Sequence, residues 1–197
     1  HLRLYRLENE VTIEWSKSFV ARASMGTNRL ALRLPCDFRE ESLMGMLYHE
    51  IDTHALRYLN YKQQPWFKKK NEYGFSDYLA TEEGLAVLHA QMVFTNKLLY
   101  IGALRYIAVW YAQQGSFLDV WQALAPYVEN LERRWIICTR VKRGLTDSSL
   151  PGGFTKELMY LQGATGTYGW LQKHEFDITP LYFGKLAAED VDKAVQL

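Results

Sequence analysis

The hydrophobic pattern changes period once along this chain, close to residue 37, and that change constrains the fold more than any other feature. Before it, apolar residues alternate with polar ones in Val11 to Trp15, in Phe19 to Arg22 and in Arg29 to Leu34. Gly26-Thr27-Asn28 lies between the last two runs as a turn. Alternation is the signature of half-buried strands. After it, the spacing is helical. Asp37 with Glu40 three residues on resembles a capping box opening a helix over about 38–60. Further helices are expected from Asp77–Thr81 to about Asn96, over Leu98–Gln114, over Phe117–Leu131 with a continuation towards Val141, from Phe154, and from Ala187 onward. The expected architecture is α+β: a small N-terminal antiparallel sheet followed by a mostly helical body.

The length of 197 residues suits a single domain with a full core, and 48% apolar with 14% aromatic residues supplies the material for it. A net charge of +1 excludes a generic nucleic-acid binder. Two cysteines, Cys36 and Cys138, are too few for a disulfide scaffold and point to a reducing compartment. The longest apolar stretch, Leu98 to Ala112, carries Arg105 and falls short of the ~20 residues that cross a bilayer, so no membrane partner is expected. The chain opens inside a strand-like pattern and stops inside a helical one, as a catalytic-sized piece of a longer protein does.

Chemistry concentrates in His49-Glu50-Ile51-Asp52-Thr53-His54, within the first long helix. A metallopeptidase helix presents two His at i and i+4, with Glu after the first as general base. Here the second His comes at i+5, which on a regular helix turns the two side chains ~140° apart. One extra residue in the turn, a π-bulge, brings them back onto one face. A third donor is available in Thr81-Glu82-Glu83-Gly84-Leu85-Ala86 on the next helix. A Glu from that helix completes the His2Glu set of a catalytic zinc site, and spacing alone leaves Glu82 and Glu83 equally open. Gly84 suits a close helix approach.

These residues resemble a known family. The His-Glu-x-x-x-His helix, Arg57-x-x-Asn60, Gln63-Gln64-Pro65-Trp66 and Thr-Glu-Glu-Gly-Leu-Ala are similar to those of the microtubule-associated tyrosine carboxypeptidases, whose bacterial relatives carry a Gln-Glu-Gly-Leu-Ala motif. The likeness runs on through Lys142-Arg143-Gly144, Phe154-Thr155-Lys156-Glu157, Tyr160-Leu161-Gln162-Gly163 and Glu189 to Lys193. It implies a zincin, gluzincin-like catalytic domain with one Zn2+, held by His49, His54 and Glu83, and with Glu50 as the base. It also implies removal of the terminal tyrosine of α-tubulin, microtubules as the partner, and a place in the cytoplasm at the cytoskeleton. The family usually has Gly where this chain has Asp52; an acidic side chain there is a candidate acceptor for a ligand imidazole. Two alternatives stand beside this expectation: a related zinc peptidase acting on another C-terminal tail, and a non-catalytic microtubule-binding module.

A carboxypeptidase also has to hold a free carboxylate, for which the planar fork of Arg is suited. Between Arg133 and Lys156 six basic residues face one acid, and Arg140, Arg143 and Lys156 are the candidates, with Tyr160 or Tyr168 as donor to a tetrahedral oxyanion. A second run, Arg57 to Lys70, holds five basic residues and no acid; Lys68-Lys69-Lys70 beside Trp66-Phe67 suits an acidic tail. Arg29 to Leu34 is the expected strand for pairing with substrate backbone. His89 is expected as a packed or hydrogen-bonded residue, and His1 and His174 as exposed ones.

Overall fold

The computed structural model describes residues 1–18 and 21–197, which form two compact units, His1–Lys97 with Gly163–Leu197 and Leu98–Gln162. The first unit opens with strands β1 (Thr12–Ser16), β2 (Ala23–Met25) and β3 (Arg29–Arg33), in spatial order β1-β3-β2. The tight turn after β2, closed by Gly26 N–H on Arg29 O at 2.8 Å, folds β3 back into the slot between β1 and β2. As a result β3 runs antiparallel to β2, with Met25 opposite Leu30, but parallel to β1, with Thr12 opposite Arg29. The sheet is therefore mixed rather than antiparallel. Of the alternating run at 19–22, Phe19 and Val20 lie outside the described residues, and Ala21 and Arg22 form a bend before β2.

Leu30, Ala31 and Leu32 are all buried, as befits the central strand, and Leu30 and Leu32 pack with Leu7, Val11, Ile51 and Ala55. Ile51 and Ala55 belong to a continuous helical rod of three segments: α1 (Glu40–Leu47), a π-helical stretch (Tyr48–Ala55) and α2 (Leu56–Lys62). The rod begins without the expected capping box; Arg39 is its N-cap, and Glu40 and Glu41 sit in the first turn, where their charge suits the free N–H groups. Next comes α3 (Leu79–Gln91), which stops short of Asn96, its last turn closing with Met92 N–H on His89 O. The C-terminal part of this unit holds the later turns of a long helix, numbered α7 below, a 3-10 turn at Thr179–Tyr182, and α8 (Val191–Val195).

The second unit contains α4 (Tyr100–Gln114), α5 (Phe117–Leu124), α6 (Leu131–Lys142) and the first turn of α7 (Leu158–Lys173). Ser116 and Asp119 form a reciprocal capping box at the start of α5. The helix expected over Phe117–Leu131 ends at Leu124 because Pro126 lacks the N–H needed to continue it. Asn130 then caps α6 by accepting from Arg133 N–H at 2.8 Å. The core of this unit includes Leu104, Ala108, Val109, Val120, Leu124, Ile137 and Cys138. Cys36 and Cys138 are both free thiols, and burial pushes Cys138 up to about 11, an inert state. No helix among the described residues is long and apolar enough to cross a membrane.

Within the first unit, α3 and α7 meet backbone to backbone. A Cβ on Gly84 would lie 2.1 Å from Gly163 C, and one on Gly163 would lie 2.0 Å from Ala80 O. Both glycines are needed for close approach, whereas Gly166, one turn further along α7, has nothing within 4 Å. Urea unfolding is expected to show Gly84→Ala destabilised by about 3 kcal/mol or more, from forced separation of the helices. Gly166→Ala should instead be neutral or gain about 0.5–1 kcal/mol from helix propensity.

Candidate metal centre

The π-helical stretch resolves the spacing problem of the two histidines. Leu56 N–H reaches Ile51 O, five residues back, and the widened turn places the His49 and His54 rings 4.9 Å apart, edge to face. Side chains tie this turn in place. Thr53, fully buried, donates to Tyr48 O at 3.1 Å and lies 2.7 Å from His89 Nδ1, while Tyr182 OH donates to Asp52 O at 2.5 Å. The Thr53 hydroxyl has one proton, given to Tyr48, so His89 Nδ1 is the donor of its bond. Burial lowers the His89 pKa, and the residue serves as the hydrogen-bonded packing group expected of it.

On α3, Glu82 and Glu83 are both buried but take different positions. Glu83 Oε2 lies 3.9 Å from His49 Nε2 and 3.9 Å from His54 Nε2, and the three donor atoms fall within 4.8 Å of one another. Tetrahedral ligands at ~2.0–2.1 Å from one ion are ~3.3–3.5 Å apart, so this cluster is close to a ligand set. Two imidazoles and one carboxylate also match the donor chemistry of catalytic zinc. Among the described residues, no other trio of His, Cys, Asp or Glu converges in this way. Glu50, buried next to His49, accepts Met25 N–H from strand β2 at 2.7 Å, so the sheet edge orients its carboxylate.

Glu82 stands behind the cluster. Its Oε1 accepts from His54 Nδ1 at 2.8 Å, which directs His54 Nε2 towards Glu83. Lys185 Nζ donates to the same Oε1 at 2.8 Å, and Arg57 Nη1 makes a short hydrogen bond to Oε2. Arg57 is fully buried, and its remaining donors reach Leu181 O and Leu186 O, both at 2.8 Å. Burial alone would favour a neutral Glu82; Arg57, His54 and Lys185 outweigh it and hold the carboxyl well below the usual range. Burial likewise opposes charge on His54, yet the Glu82 hydrogen bond and the surrounding carboxylates raise its pKa. Asp52, by contrast, faces His1 Nε2 at 2.6 Å and Tyr5, and burial pushes its carboxyl upward. The acceptor role expected of Asp52 thus falls to Glu82, and His1 is tucked against Asp52 rather than exposed.

Several sequence-level candidates occupy other places. Of Arg29 to Leu34, expected to pair with substrate, Arg29–Arg33 is the central strand with both edges taken; β1 and β2 are the edges. In the basic run, Arg57 is buried on Glu82, and Lys70 lies 3.4 Å over the Tyr78 ring with its pKa lowered to about 8, by burial and then by Arg57. Trp66 is buried, leaving Lys68 and Lys69 as the exposed part of the patch. In the second unit, Arg140 Nε and Arg143 Nη2 both bond Glu157 Oε1, at 2.8 and 3.0 Å, and Arg105 Nε lies 3.5 Å from the other oxygen. Glu157 is fully buried, and Tyr160 OH is 3.5 Å from Arg140 Nη2. Lys156 directly precedes Glu157 in the 3-10 turn Thr155–Glu157, and Tyr168 is exposed on α7 beside Phe176. Arg57 was visible in the sequence only as one charge in a run and as part of Arg57-x-x-Asn60; Asn60 donates to Tyr182 O at 2.9 Å, on the same C-terminal segment that Arg57 grips. Lys185 carried no local signal at all.

A partly buried cluster of two histidines and one buried glutamate, with an adjacent glutamate on an irregular helix, defines the class of site as a candidate metal centre. Comparison with known proteins gives the family. The model of the family "Microtubule-associated tyrosine carboxypeptidase" matches residues 1–197. The human protein named microtubule-associated tyrosine carboxypeptidase 1 is 38% identical over 189 residues, covering 93% of this chain and 40% of its own length. The rat protein of the same name is 37% identical over 190 residues, with the same coverage. A mouse relative named putative tyrosine carboxypeptidase MATCAP2 is 34% identical over 209 residues, covering all of this chain and 40% of its own. The chain belongs to the microtubule-associated tyrosine carboxypeptidase family and spans about 40% of the length of these curated relatives.

The buried Glu82 anion makes acid sensitivity predictable. Its folded pKa is depressed, so its contribution is fully present above the ordinary carboxyl value of 4.5 and fades as the pH falls below that. Glu82→Gln, which leaves Arg57 buried against a neutral amide, is expected to lose about 3–5 kcal/mol at pH 7. Urea titrations from pH 7 to pH 3 should show that gap narrowing, because the unfolded chain takes up a proton at Glu82 that the folded protein excludes.

Proposed function

We propose that this chain carries the catalytic site of a zinc metallocarboxypeptidase that removes the terminal tyrosine of α-tubulin. The observation that carries the proposal is the convergence of His49, His54 and Glu83, beside Glu50, in a chain of this family. The relatives' names, microtubule-associated and tyrosine carboxypeptidase, support the reading of substrate and partner, and the proposed place in the cell is at the cytoskeleton, in the cytoplasm.

In this proposal His49, His54 and Glu83 hold one Zn2+. The bound ion supplies Lewis acidity towards the scissile carbonyl and towards water. Glu50 takes the proton from the attacking water and returns it to the leaving amine. The hydrogen bond from Met25 N–H holds one Glu50 oxygen and fixes the plane of the carboxylate for both transfers. Arg140, Arg143 and Lys156 are put forward, on the local charge of the sequence, as the holders of a terminal carboxylate, with Tyr160 as an oxyanion donor. Three guanidinium groups share the single Glu157 carboxylate in that cluster, which leaves positive charge for a second carboxylate. The exposed Lys68 and Lys69 steer an acidic tail by long-range attraction, an effect that weakens with salt.

The test pairs metal analysis with mass spectrometry of peptides ending in Tyr, Phe or Ala, followed by microtubule co-sedimentation. The expected results are one zinc per chain, preferential release of the aromatic residue, and a fall of about 10²–10⁴-fold in turnover for Glu50→Gln with zinc retained. A correctly folded chain that takes up no zinc overturns the metal assignment. Release from another tail but not from Tyr-ended peptides would make it a related peptidase. Microtubule binding without any release, unaffected by Glu50→Gln, would make it a binding module.

A further inference from the structure

The carboxylate behind His54 carries more positive charge than positioning a histidine requires. A single hydrogen bond from His54 Nδ1 to Glu82 fixes the tautomer and the ring. Arg57, buried and bound to two backbone carbonyls and to Glu82 Oε2, already holds that carboxylate still. Lys185 adds a second full cation, and it bonds the very oxygen that His54 uses, Oε1, at 2.8 Å. Its side chain is only 17% exposed.

The fold goes to some length to deliver that ammonium group. Gly184 precedes it with φ +119, in the region that favours glycine, where a Cβ would lie 3.1 Å from Tyr61 Cα. Lys70 Nζ donates to Lys185 O in a short hydrogen bond, and Arg57 takes the next carbonyl, Leu186 O. The Leu181–Leu186 strap is therefore pinned on both sides of Lys185.

Resting on the metal-centre reading above, we propose that Lys185 is a positioning residue that acts through Glu82 to restrain how tightly His54 and its partners bind the metal ion. A carboxylate accepting from a ligand imidazole makes that imidazole a stronger donor. A cation on the same oxygen withdraws charge from the bond and also repels the incoming dication. Both effects have the same sign, so removing the charge of Lys185 strengthens metal binding while Arg57 keeps Glu82 in place. This sign separates a tuning role from a structural one, since loosening the strap would weaken binding.

The experiment measures zinc dissociation constants on the metal-stripped chain by competition with a chromophoric chelator at fixed pH and salt. The variants are Lys185→Met, Lys185→Gln and Lys185→Arg, with exposed Lys68→Met as the control, all checked by circular dichroism. Lys185→Met is expected to bind zinc about 3–10-fold more tightly, with Lys185→Arg and Lys68→Met within twofold of the unaltered chain. Lys185→Gln, which keeps a donor without the charge, should tighten binding like Lys185→Met and serves if the methionine variant fails to fold. Unchanged or weaker binding in the folded neutral variants overturns the proposal and leaves the metal centre standing. No zinc uptake by the unaltered chain overturns both.

Discussion

The buried pair of Arg57 and Glu82 is the interaction around which the site is organised. Removing two charges from water costs several kcal/mol each, so a pair like this is a poor source of stability by itself. What it supplies is position. Arg57 is gripped by Leu181 O and Leu186 O, Glu82 is gripped by Arg57, and His54 Nδ1 is fixed by Glu82. The chain of bonds runs from the C-terminal segment through α2 and α3 to the imidazole in the π-helical stretch. Each guanidinium nitrogen of Arg57 has an acceptor, and such satisfaction is what makes a low-dielectric ionic site tolerable.

Two departures from regular geometry make this arrangement possible. The π-helical turn adds one residue between His49 and His54 and so rotates them onto one face, and its polar groups are tied down by Thr53 and Tyr182. The second is the contact of Gly84 with Gly163, which lets α3 lie against α7 with no side chain between them. Because Glu82 and Glu83 immediately precede Gly84, the depth of that crossing sets where both carboxylates stand. A glycine three turns away from nothing catalytic would matter little; this one is next to a candidate ligand.

Charge shows how sharply folding sorts residues that look alike in a sequence. The run from Arg57 to Lys70 presents five cations with no acid. Folding buries Arg57, half-buries Lys70 over an aromatic ring, pairs the exposed Lys62 with Glu10, and leaves Lys68 and Lys69 at the surface. The run from Arg133 to Lys156 behaves similarly. Arg134 closes on Val128 O, Lys142 is buried on the carbonyls of Ala112, Gly115 and Leu150, and Arg140 and Arg143 converge on Glu157. Local charge density therefore overstated the free positive surface, because long cationic side chains are also the ones able to reach distant backbone carbonyls.

By itself the sequence determined the change from alternating to helical period, the residue types of the His-Glu-x-x-x-His segment, the need for one extra residue in its turn, and the two adjacent glutamates of the following helix. These are matters of spacing along one element, where 3.6 residues per turn and alternate strand faces fix the angles. Spacing left Glu82 and Glu83 open and the family resemblance implied Glu83; only the tertiary structure decided that Glu82 backs the histidines, that β3 lies between β1 and β2, and that Asp52 turns to His1 and Tyr5. It alone brought Lys185 to Glu82 across 103 residues and Arg57 to Leu181 across 124. Neighbouring residues on a helix differ by ~100° in direction, so which of two glutamates faces a cluster depends on how the whole helix is rolled against its neighbours. That roll is set by packing at Gly84 and Gly163, not by any property of the glutamates themselves.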